Sequence, residues 1–373
     1  MTTAELLSLA RFTRSAARRS LAWGLTAAFL LALGLTACTG DPQTGDARSL
    51  LPGKVGPSGE VVVVADPATW AAVHLEIESA LQGPVLVLPQ FEPQFDIEHL
   101  TRDRFSRFWK PHRNLIVFDV ADRIDTQTPS MIIGKEKYSR GQIYVQIKAR
   151  TPAAALEIFR TRAVELSDIL EQTEVQRFMD LTALRSNEVL EKLLHDRHGL
   201  QAIVPRDAVL VEDTPEFLWI QRSLTRLKGN TNHDVQMGVF VSRMDYTGPG
   251  LFSLEKMLAR RDSVLRARVG GEVPGSYMCT EMRQTPRYEE IAFHGGFAAT
   301  LRGLWKMEGD FMGGPFSSIA WLDPFTNELV TVDGFAYAPY FSKREYLREL
   351  EGIVRSFLPL DRSESLEQPA QNE

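Results

Sequence analysis

Short apolar runs recur along the first half of the chain, and they predict alternating strands and helices. β-branched runs bounded by turn residues favour strands, whereas apolar residues spaced by three and four favour helices. The clearest strand covers residues 60–66, where four valines follow Glu60. Thr69 is the predicted cap of the next helix. The predicted strands of this half are residues 60–66, 84–88, 114–120, 130–134 and 142–148, and its predicted helices are 70–81 and 97–109.

A stretch without Gly or Pro, residues 153–198, predicts a long helical segment in the middle of the chain. Thr151 and Pro152 supply a cap and a first-turn proline, and Gly199 is placed to end the segment. A straight helix of this length would span about 70 Å, more than twice the width of a small domain. The apolar stripe changes phase at residues 171–174, so we predict a bend or a break there.

The second half has the same outline of strand, helix, several strands and helix. Ser342 and Glu345 form a capping-box pattern before the last helix. The predicted strands are residues 233–242, 288–293, 297–307, 315–322 and 329–338, and the predicted helices are 251–268 and 342–357. The predicted fold class is α+β, with two lobes of mixed, mainly antiparallel sheet and flanking helices, joined by the long helical segment. Whether the lobes are a duplication stays open.

The chain begins with an export-signal pattern. Four arginines lie within residues 1–20, and an uncharged apolar run extends from Leu21 to Ala37. Residues 35–38 then resemble a bacterial lipobox, in which the cysteine thiol is alkylated by diacylglycerol before cleavage. The alternative is an uncleaved N-terminal anchor in which the cysteine is incidental. Charge, length, small residues and cysteine agree, so we predict lipidation at Cys38.

These patterns divide the chain into six segments. Gly, Pro, Asp and Ser dominate after the cysteine, which is typical of a flexible linker, and the C-terminal residues are polar. The predicted segments are a signal peptide (1–37), a flexible tether (38–59), an N-terminal α+β lobe (60–150), connecting helices (151–199), a C-terminal α+β lobe (200–360) and a disordered tail (361–373).

Composition excludes several classes of protein. The chain carries 42 basic and 48 acidic residues, so its net charge of −6 argues against a nucleic-acid partner. Apolar residues make up 44% of the sequence, which fits a folded globular body. Two cysteines exclude a disulfide scaffold, and lipidation of Cys38 would leave Cys279 as the one thiol.

Weak candidate sites for a ligand or partner lie in the second half. His294 precedes two glycines, as in the oxyanion segment of some esterases, but the chain has no G-x-S-x-G nucleophile elbow. Asp310 precedes the paired glycines Gly313 and Gly314, which either admit a ligand to the backbone or let two layers pack tightly. Asp333 is a further acid that strand pairing would place opposite Asp310. No catalytic residue is predicted.

One helical spacing suggests a metal site. Glu191, His195 and His198 would share a helix face, yet charged neighbours make this face typical of a solvated helix. No metal and no cofactor is predicted.

Six segments together resemble an uncharacterised family of bacterial outer-envelope lipoproteins, domain of unknown function 4837. These segments are residues 56–64, 88–96, 112–118, 216–222, 309–316 and 333–339. The resemblance extends from about Gly56 to Phe357. It implies a lipid-anchored envelope protein, and it supplies neither an activity nor catalytic residues.

The expected function is a non-catalytic binding or assembly module of the cell envelope. The expected partners are the membrane, through lipid on Cys38, and an envelope protein or glycan. Thr39 is not acidic, so by resemblance to sorted lipoproteins we expect the outer membrane. The alternatives are a hydrolase of an envelope component that uses His294 with Asp310 or Asp333, and a purely structural spacer.

Overall fold

The N-terminal lobe is a five-stranded sheet with helices on one face. The computed structural model describes residues 50–123 and 128–360, so the signal segment, Cys38, most of the predicted tether and the tail lie outside the described residues. The elements of this lobe are β1 (Glu60–Val64), α1 (Pro67–Leu81), β2 (Asp96–Leu100), β3 (Asn114–Val120), β4 (Ser130–Lys135), β5 (Ile143–Ala149) and α2 (Pro152–Ala183). Apolar residues of both helices pack on the same face of the sheet and form its main core.

Strand order in this sheet is β2-β1-β3-β5-β4. The first four strands are parallel, and only the edge strand β4 runs antiparallel to its neighbour. The α+β class is confirmed, but the expectation of mainly antiparallel sheet is wrong for this lobe. The sequence pattern finds β1, β3, β4 and β5, whereas the direction of the strands depends on crossovers such as the helix between β1 and β2.

Two elements predicted in this lobe are wrong. Residues 84–88 form no strand, because Val87 has a left-handed φ of 66° and only Pro84 makes a bridge, to Pro93. The predicted helix at 97–109 is instead strand β2 followed by turns. Backbone pairing of β2 with the buried valines of β1 outweighs the local helical spacing.

Residues that precede Glu60 also pack on the N-terminal lobe. Val55 donates its backbone N–H to the carbonyl of Pro111 (3.0 Å) and accepts one from Arg113 (3.0 Å). Gly53 forms a bridge with Arg140. Residues 53–59, placed by composition in a flexible tether, therefore pack on the N-terminal lobe, because backbone hydrogen bonds compensate for their low apolar content.

The helical segment is broken, although not where the sequence pattern places the break. α2 continues to Ala183, and α3 (Glu188–His198) begins after Asn187, whose side chain accepts the backbone N–H of Leu190. The phase change at 171–174 instead marks a change of partner. Up to Leu170 the apolar residues of the helix belong to the core of the N-terminal sheet. Beyond it the contacts of the helix with this lobe are polar, and the helix also packs on a helix of the C-terminal lobe.

The C-terminal lobe is built on an eight-stranded antiparallel sheet of order β10-β12-β13-β14-β9-β8-β7, with β11 also paired to β12. Its elements are β6 (Leu200–Gln201), β7 (Val209–Asp213), β8 (Phe217–Lys228), β9 (Thr231–Asp245), α4 (Leu254–Arg268), β10 (Tyr277–Thr280), β11 (Arg287–Phe293), β12 (Gly296–Glu308), β13 (Gly313–Asp323), β14 (Glu328–Tyr337), α5 (Arg344–Arg355) and β15 (Leu358–Pro359). α3 and α5 contribute to the core on one face, and α4 to that on the other. The antiparallel topology differs from that of the first sheet, which argues against duplication.

The joint between the lobes is polar, and α5 is its centre. The predicted capping box does not form. Instead the buried carboxylate of Glu92 accepts the backbone N–H of Lys343 (2.7 and 2.8 Å) and of Arg344 (2.8 Å) at the start of α5. One turn later, Arg348 donates to both carboxylate oxygens of Glu171 in α2 (2.9 and 2.6 Å). A charged carboxylate is a stronger acceptor than a serine hydroxyl, so Glu92 replaces the local cap.

No helix within the described residues combines the length and apolar character that crossing a membrane requires.

Replacing Glu92 with alanine is expected to lower the free energy of unfolding by about 2 kcal/mol, because two backbone donors at a buried helix end lose their acceptor. Urea denaturation of the full chain measures this change. Phe91→Ala is the control, since Phe91 is 71% exposed and its loss should change stability by less than about 0.5 kcal/mol. Equal stability of the two variants would contradict the capping role.

Candidate functional site

The residues that the sequence suggests as a site do not converge. His294 is exposed at the tip of the β11–β12 hairpin, where its φ is 47°. Asp310 follows the other end of β12, and its carboxylate accepts the backbone N–H of the next residue, Phe311 (2.7 Å). The 13 residues of β12 separate the two side chains by about 40 Å of extended strand. The hydrolase that pairs His294 with Asp310 therefore has no geometric basis here.

Asp333 is part of a buried ion pair. It lies within β14, and its carboxylate receives two hydrogen bonds from Arg261 of α4, from Nε (2.6 Å) and Nη2 (3.2 Å). Burial raises the pKa of Asp333, and Arg261 acts in the opposite direction. The guanidinium of Arg261 also lies 3.7 Å from the ring centroid of Phe316. These contacts fix α4 on the sheet and engage both carboxylate oxygens of Asp333 within the core, whereas His294 is exposed.

The paired glycines are explained by close strand packing. A Cβ atom on Gly314 would lie 2.0 Å from the carbonyl oxygen of Ala336, and one on Gly313 would lie 2.9 Å from the carbonyl oxygen of Trp305. Trp305 Nε1 donates to that same Ala336 carbonyl (3.2 Å). The strands approach each other too closely for any side chain, so the glycines serve the sheet rather than a ligand.

The helical triplet is also dispersed among different partners. His198 is buried and contacts Asp213 (2.8 Å), while His195 is exposed and contacts Asp196 (2.9 Å). Glu191 accepts the backbone N–H of Val204 (3.0 Å). Within the described part of the chain, no group of three or more His, Cys, Asp or Glu is placed to hold a metal ion.

Two large concave surfaces remain. One lies between the lobes, with a volume of about 510 Å³. Its arginines are matched to acids: Arg302 pairs with Glu351 (2.6 Å), and Arg160 pairs with Glu76 (3.1 Å). Arg287, the third arginine of this cleft, pairs with Glu289. Since its cations are already neutralised, this cleft has little charge to offer a ligand.

The second surface is a groove of about 820 Å³ between the edge strand β4 and helix α2, which we call the β4–α2 groove. β4 forms one wall, with Ile133 and Lys135. The polar side of α2 forms the other wall, where Ile169 and Thr173 lie between charged residues. The mixture of apolar and polar residues suits an elongated ligand that has a polar backbone.

The register of β4 shows which backbone groups face this groove. Ile143 of β5 donates its N–H to the carbonyl of Arg113, on the side of β3. Lys135 lies opposite Ile143 in the antiparallel pair, so these two residues form a pair without hydrogen bonds to each other. Backbone groups of Met131, Ile133 and Lys135 therefore point away from the sheet. Arg162 of α2 donates to the carbonyl of Met131, which confirms this direction. The groups of Ile133 and Lys135 form an open strand edge.

One end of the groove is electropositive. Lys54 lines it, and a Cβ atom on Gly141 would lie 3.2 Å from the Lys54 ammonium nitrogen. Burial lowers the pKa of Lys54, and the nearby cations Arg177 and Arg113 lower it further. Among the described residues Lys54 has no ion-pair partner within 4.0 Å. An excess of positive charge at this point favours binding of an anion such as a carboxylate.

The two arginines themselves are held by one buried acid. The carboxylate of Glu174 in α2 contacts Arg177 (2.5 Å) and Arg113 (2.7 Å). It also accepts a hydrogen bond from the side-chain amide of Asn114 (2.8 Å). Burial alone would raise the pKa of Glu174, but the two guanidinium groups outweigh it and the pKa lies below its ordinary value. Two acids, Glu174 and Asp180, oppose the effect of the two arginines on Lys54 and raise its pKa. The three cations Lys54, Arg113 and Arg177 still outnumber these two acids by one.

Sequence reasoning missed the β4–α2 groove. The strand at 130–134 was predicted, but its place at the sheet edge follows from strand order, which no local pattern contains. Lys54 was assigned to the tether. The sequence signal for Lys54 is a single lysine within a segment rich in Gly and Pro. Such a signal is too weak to indicate a binding site.

Two family models match the chain. Residues 187–356 match a family described as Domain of unknown function (DUF4837), and residues 54–182 match one described as Domain of unknown function (DUF8532). The resemblance to DUF4837 is thus confirmed for the C-terminal lobe, while the N-terminal lobe with α2 matches a different family. Among curated proteins, none matches the chain. The gap between the two matches coincides with the break between α2 and α3.

Gly314→Ala is expected to lower the free energy of unfolding by about 3 kcal/mol, because a Cβ atom cannot fit against the Ala336 carbonyl without strand displacement. Gly250→Ala is the matched control, since its Cβ would meet no atom within 4 Å. Thermal or urea unfolding compares the two. If Gly314→Ala were as stable as Gly250→Ala, the packing explanation would be wrong and a ligand role would regain support.

Proposed function

We propose that this chain is a lipid-anchored protein of the cell envelope that acts as a non-catalytic binding module for a partner protein. The ligand is an extended peptide segment that pairs with β4 and places a carboxylate near Lys54. The observation that carries this proposal is the open backbone edge of Ile133 and Lys135 facing the β4–α2 groove.

Strand addition explains how such a groove recognises a peptide. An extended peptide that pairs with the open groups of Ile133 and Lys135 spans about three residues of β4, or about 10 Å, and its ends extend beyond them. Its backbone bonds to the open edge supply affinity for any sequence, and its side chains alternate between the groove and solvent. A carboxylate at the Lys54 end, either a C-terminus or an acidic side chain, fixes the direction of the peptide.

A peptide suits the groove better than a glycan. Sugar sites commonly present aromatic rings to the apolar faces of the sugar, and none of the described residues that line this groove is aromatic. The lining instead offers backbone groups, aliphatic side chains and amides such as Gln172 and Gln176. A protein partner is therefore favoured over the envelope glycan.

The anchor is supported by the sequence alone. The arginine-rich start, the apolar run to Ala37 and the lipobox pattern before Cys38 support export and lipidation, and Thr39 supports the outer membrane. An anchored binding module would capture its partner close to the membrane surface.

Cys38→Ala is expected to abolish incorporation of labelled palmitate and to shift the protein out of the detergent phase in a Triton X-114 partition. The physical reason is loss of the thiol that carries diacylglycerol. Cys279→Ala is the control and should retain both label and partition. Unchanged labelling of Cys38→Ala would refute lipidation at this residue.

Lys135→Pro is expected to weaken peptide binding at least tenfold without unfolding the sheet. Proline removes the N–H that faces the groove, whereas the ladder bonds between β4 and β5 use other residues. The probe is a displayed library of random eight-residue peptides with free C-termini. Enriched peptides are then synthesised and their affinity is measured by fluorescence anisotropy with the full chain.

Lys54→Gln tests the carboxylate part of the same proposal, with Lys256→Gln as the control because Lys256 is exposed on α4. The expected result is that Lys54→Gln weakens binding of acidic peptides about tenfold, and that Lys256→Gln leaves it unchanged. A library in which no peptide prefers the parent chain over Lys135→Pro would overturn the proposal.

A further inference from the structure

The N-terminal sheet has a face without helices. α1 and α2 both pack on the opposite face. On the helix-free face lie Val62, Val64, Leu115 and Tyr144. Among the described residues their cover consists of side chains from the turn segment 101–112 and of Tyr138 from the β4–β5 hairpin. Parallel sheets are usually covered by helices on both faces, so this thin cover is unusual.

The covering segment is strongly basic. Residues 101–110 contain four basic side chains and one acid, Asp103, in a chain whose net charge is −6. Arg102 is paired with Asp119 (2.8 Å). Among the described residues, the other three basic side chains have no carboxylate within ion-pair distance, and all three are exposed. They are Arg104, Arg107 and Lys110.

Aromatic side chains lie among these cations. Phe108 is 74% exposed, and the Arg107 guanidinium lies 5.3 Å from its ring centroid. Lys110 lies 5.6 Å from the ring of Tyr138. Lys137, on the neighbouring hairpin, lies 3.9 Å from the ring of Tyr144. An exposed aromatic ring beside unpaired cations is the composition of a membrane-surface contact.

We infer that this surface, the basic aromatic face of Arg104, Arg107, Phe108, Lys110 and Lys137, docks on an anionic lipid surface. The cations contact lipid phosphates, and Phe108 enters the boundary between headgroups and acyl chains. This inference is independent of the peptide groove, since it rests on other residues.

The chemistry favours lipid over other polyanions. Nucleic-acid binding draws on a basic surface of larger extent, whereas this chain is acidic overall. The core of a protein–protein interface is poor in charged residues, so a site for a protein partner would surround an exposed ring with apolar residues. Here the ring is surrounded by three unpaired cations. The single ring of Phe108 surrounded by cations suits shallow insertion into a headgroup layer.

The test measures binding of the full chain, with Cys38→Ala in every sample, to vesicles of phosphatidylethanolamine and phosphatidylglycerol (three to one) or of phosphatidylcholine alone. The triple variant Arg104→Gln, Arg107→Gln, Lys110→Gln should bind the anionic vesicles about a hundredfold more weakly, because each cation near an anionic surface contributes roughly fivefold. Phe108→Ala should weaken binding about tenfold. Binding of the parent chain should fall between 50 and 500 mM NaCl.

The matched control is Arg185→Gln, Arg226→Gln, Lys256→Gln, which removes the same charge from exposed positions outside this face. All samples share the same N-terminal segment, so its own membrane affinity cancels in the comparison. Selective loss in the first triple variant and in Phe108→Ala supports the inference. Equal losses in both triple variants, or none in either, overturn it. Heparin serves as a polyanion without acyl chains. If the first triple variant loses heparin binding as strongly as vesicle binding, and Phe108→Ala affects neither, the inference is also overturned.

Discussion

The arrangement of the two lobes depends on a buried guanidinium. Arg348 of α5 is 2% exposed, and it binds both carboxylate oxygens of Glu171 in α2 and the carbonyl oxygen of Gln94 (2.7 Å). Its guanidinium also lies 5.0 Å from the ring centroid of Phe95. A buried charge is tolerated only when its partners are fully in place, so these contacts permit one relative position of α2, α5 and the segment before β2. Capping of α5 by Glu92 adds a second constraint of the same kind.

Local patterns predict elements well where an element depends on its own residues. The strands at β3, β4, β5 and β11 to β14, and the start of α2 at Thr151, follow from alternation, β-branching and capping. Prediction fails where a partner distant in sequence decides. Asp66 caps α1, because its carboxylate accepts the backbone N–H of Ala68 and Thr69, whereas the local pattern favours Thr69 as the cap. At α5 a distant glutamate replaces the cap that the local sequence offers.

The candidate site was harder to predict for the same reason. His294, Asp310 and Asp333 looked comparable as residues, but β12 holds the first two apart and Arg261 engages the third. A strand lies at the edge of a sheet when only one of its sides is paired with another strand. The pattern of residues within the strand does not contain this information. Lys54 matters only because folding brings Arg177 and Arg113 near it.

Both proposed interactions follow from one property of the N-terminal sheet. Its helices cover a single face, and its last strand, β4, has no further neighbour among the strands that the structure describes. Backbone hydrogen bonds of a sheet lie in its plane, whereas side chains stand perpendicular to it. A peptide added to β4 therefore extends the sheet sideways, while a lipid surface contacts the basic aromatic face from above. Because the two directions are at right angles, the two proposed interactions are geometrically compatible with each other.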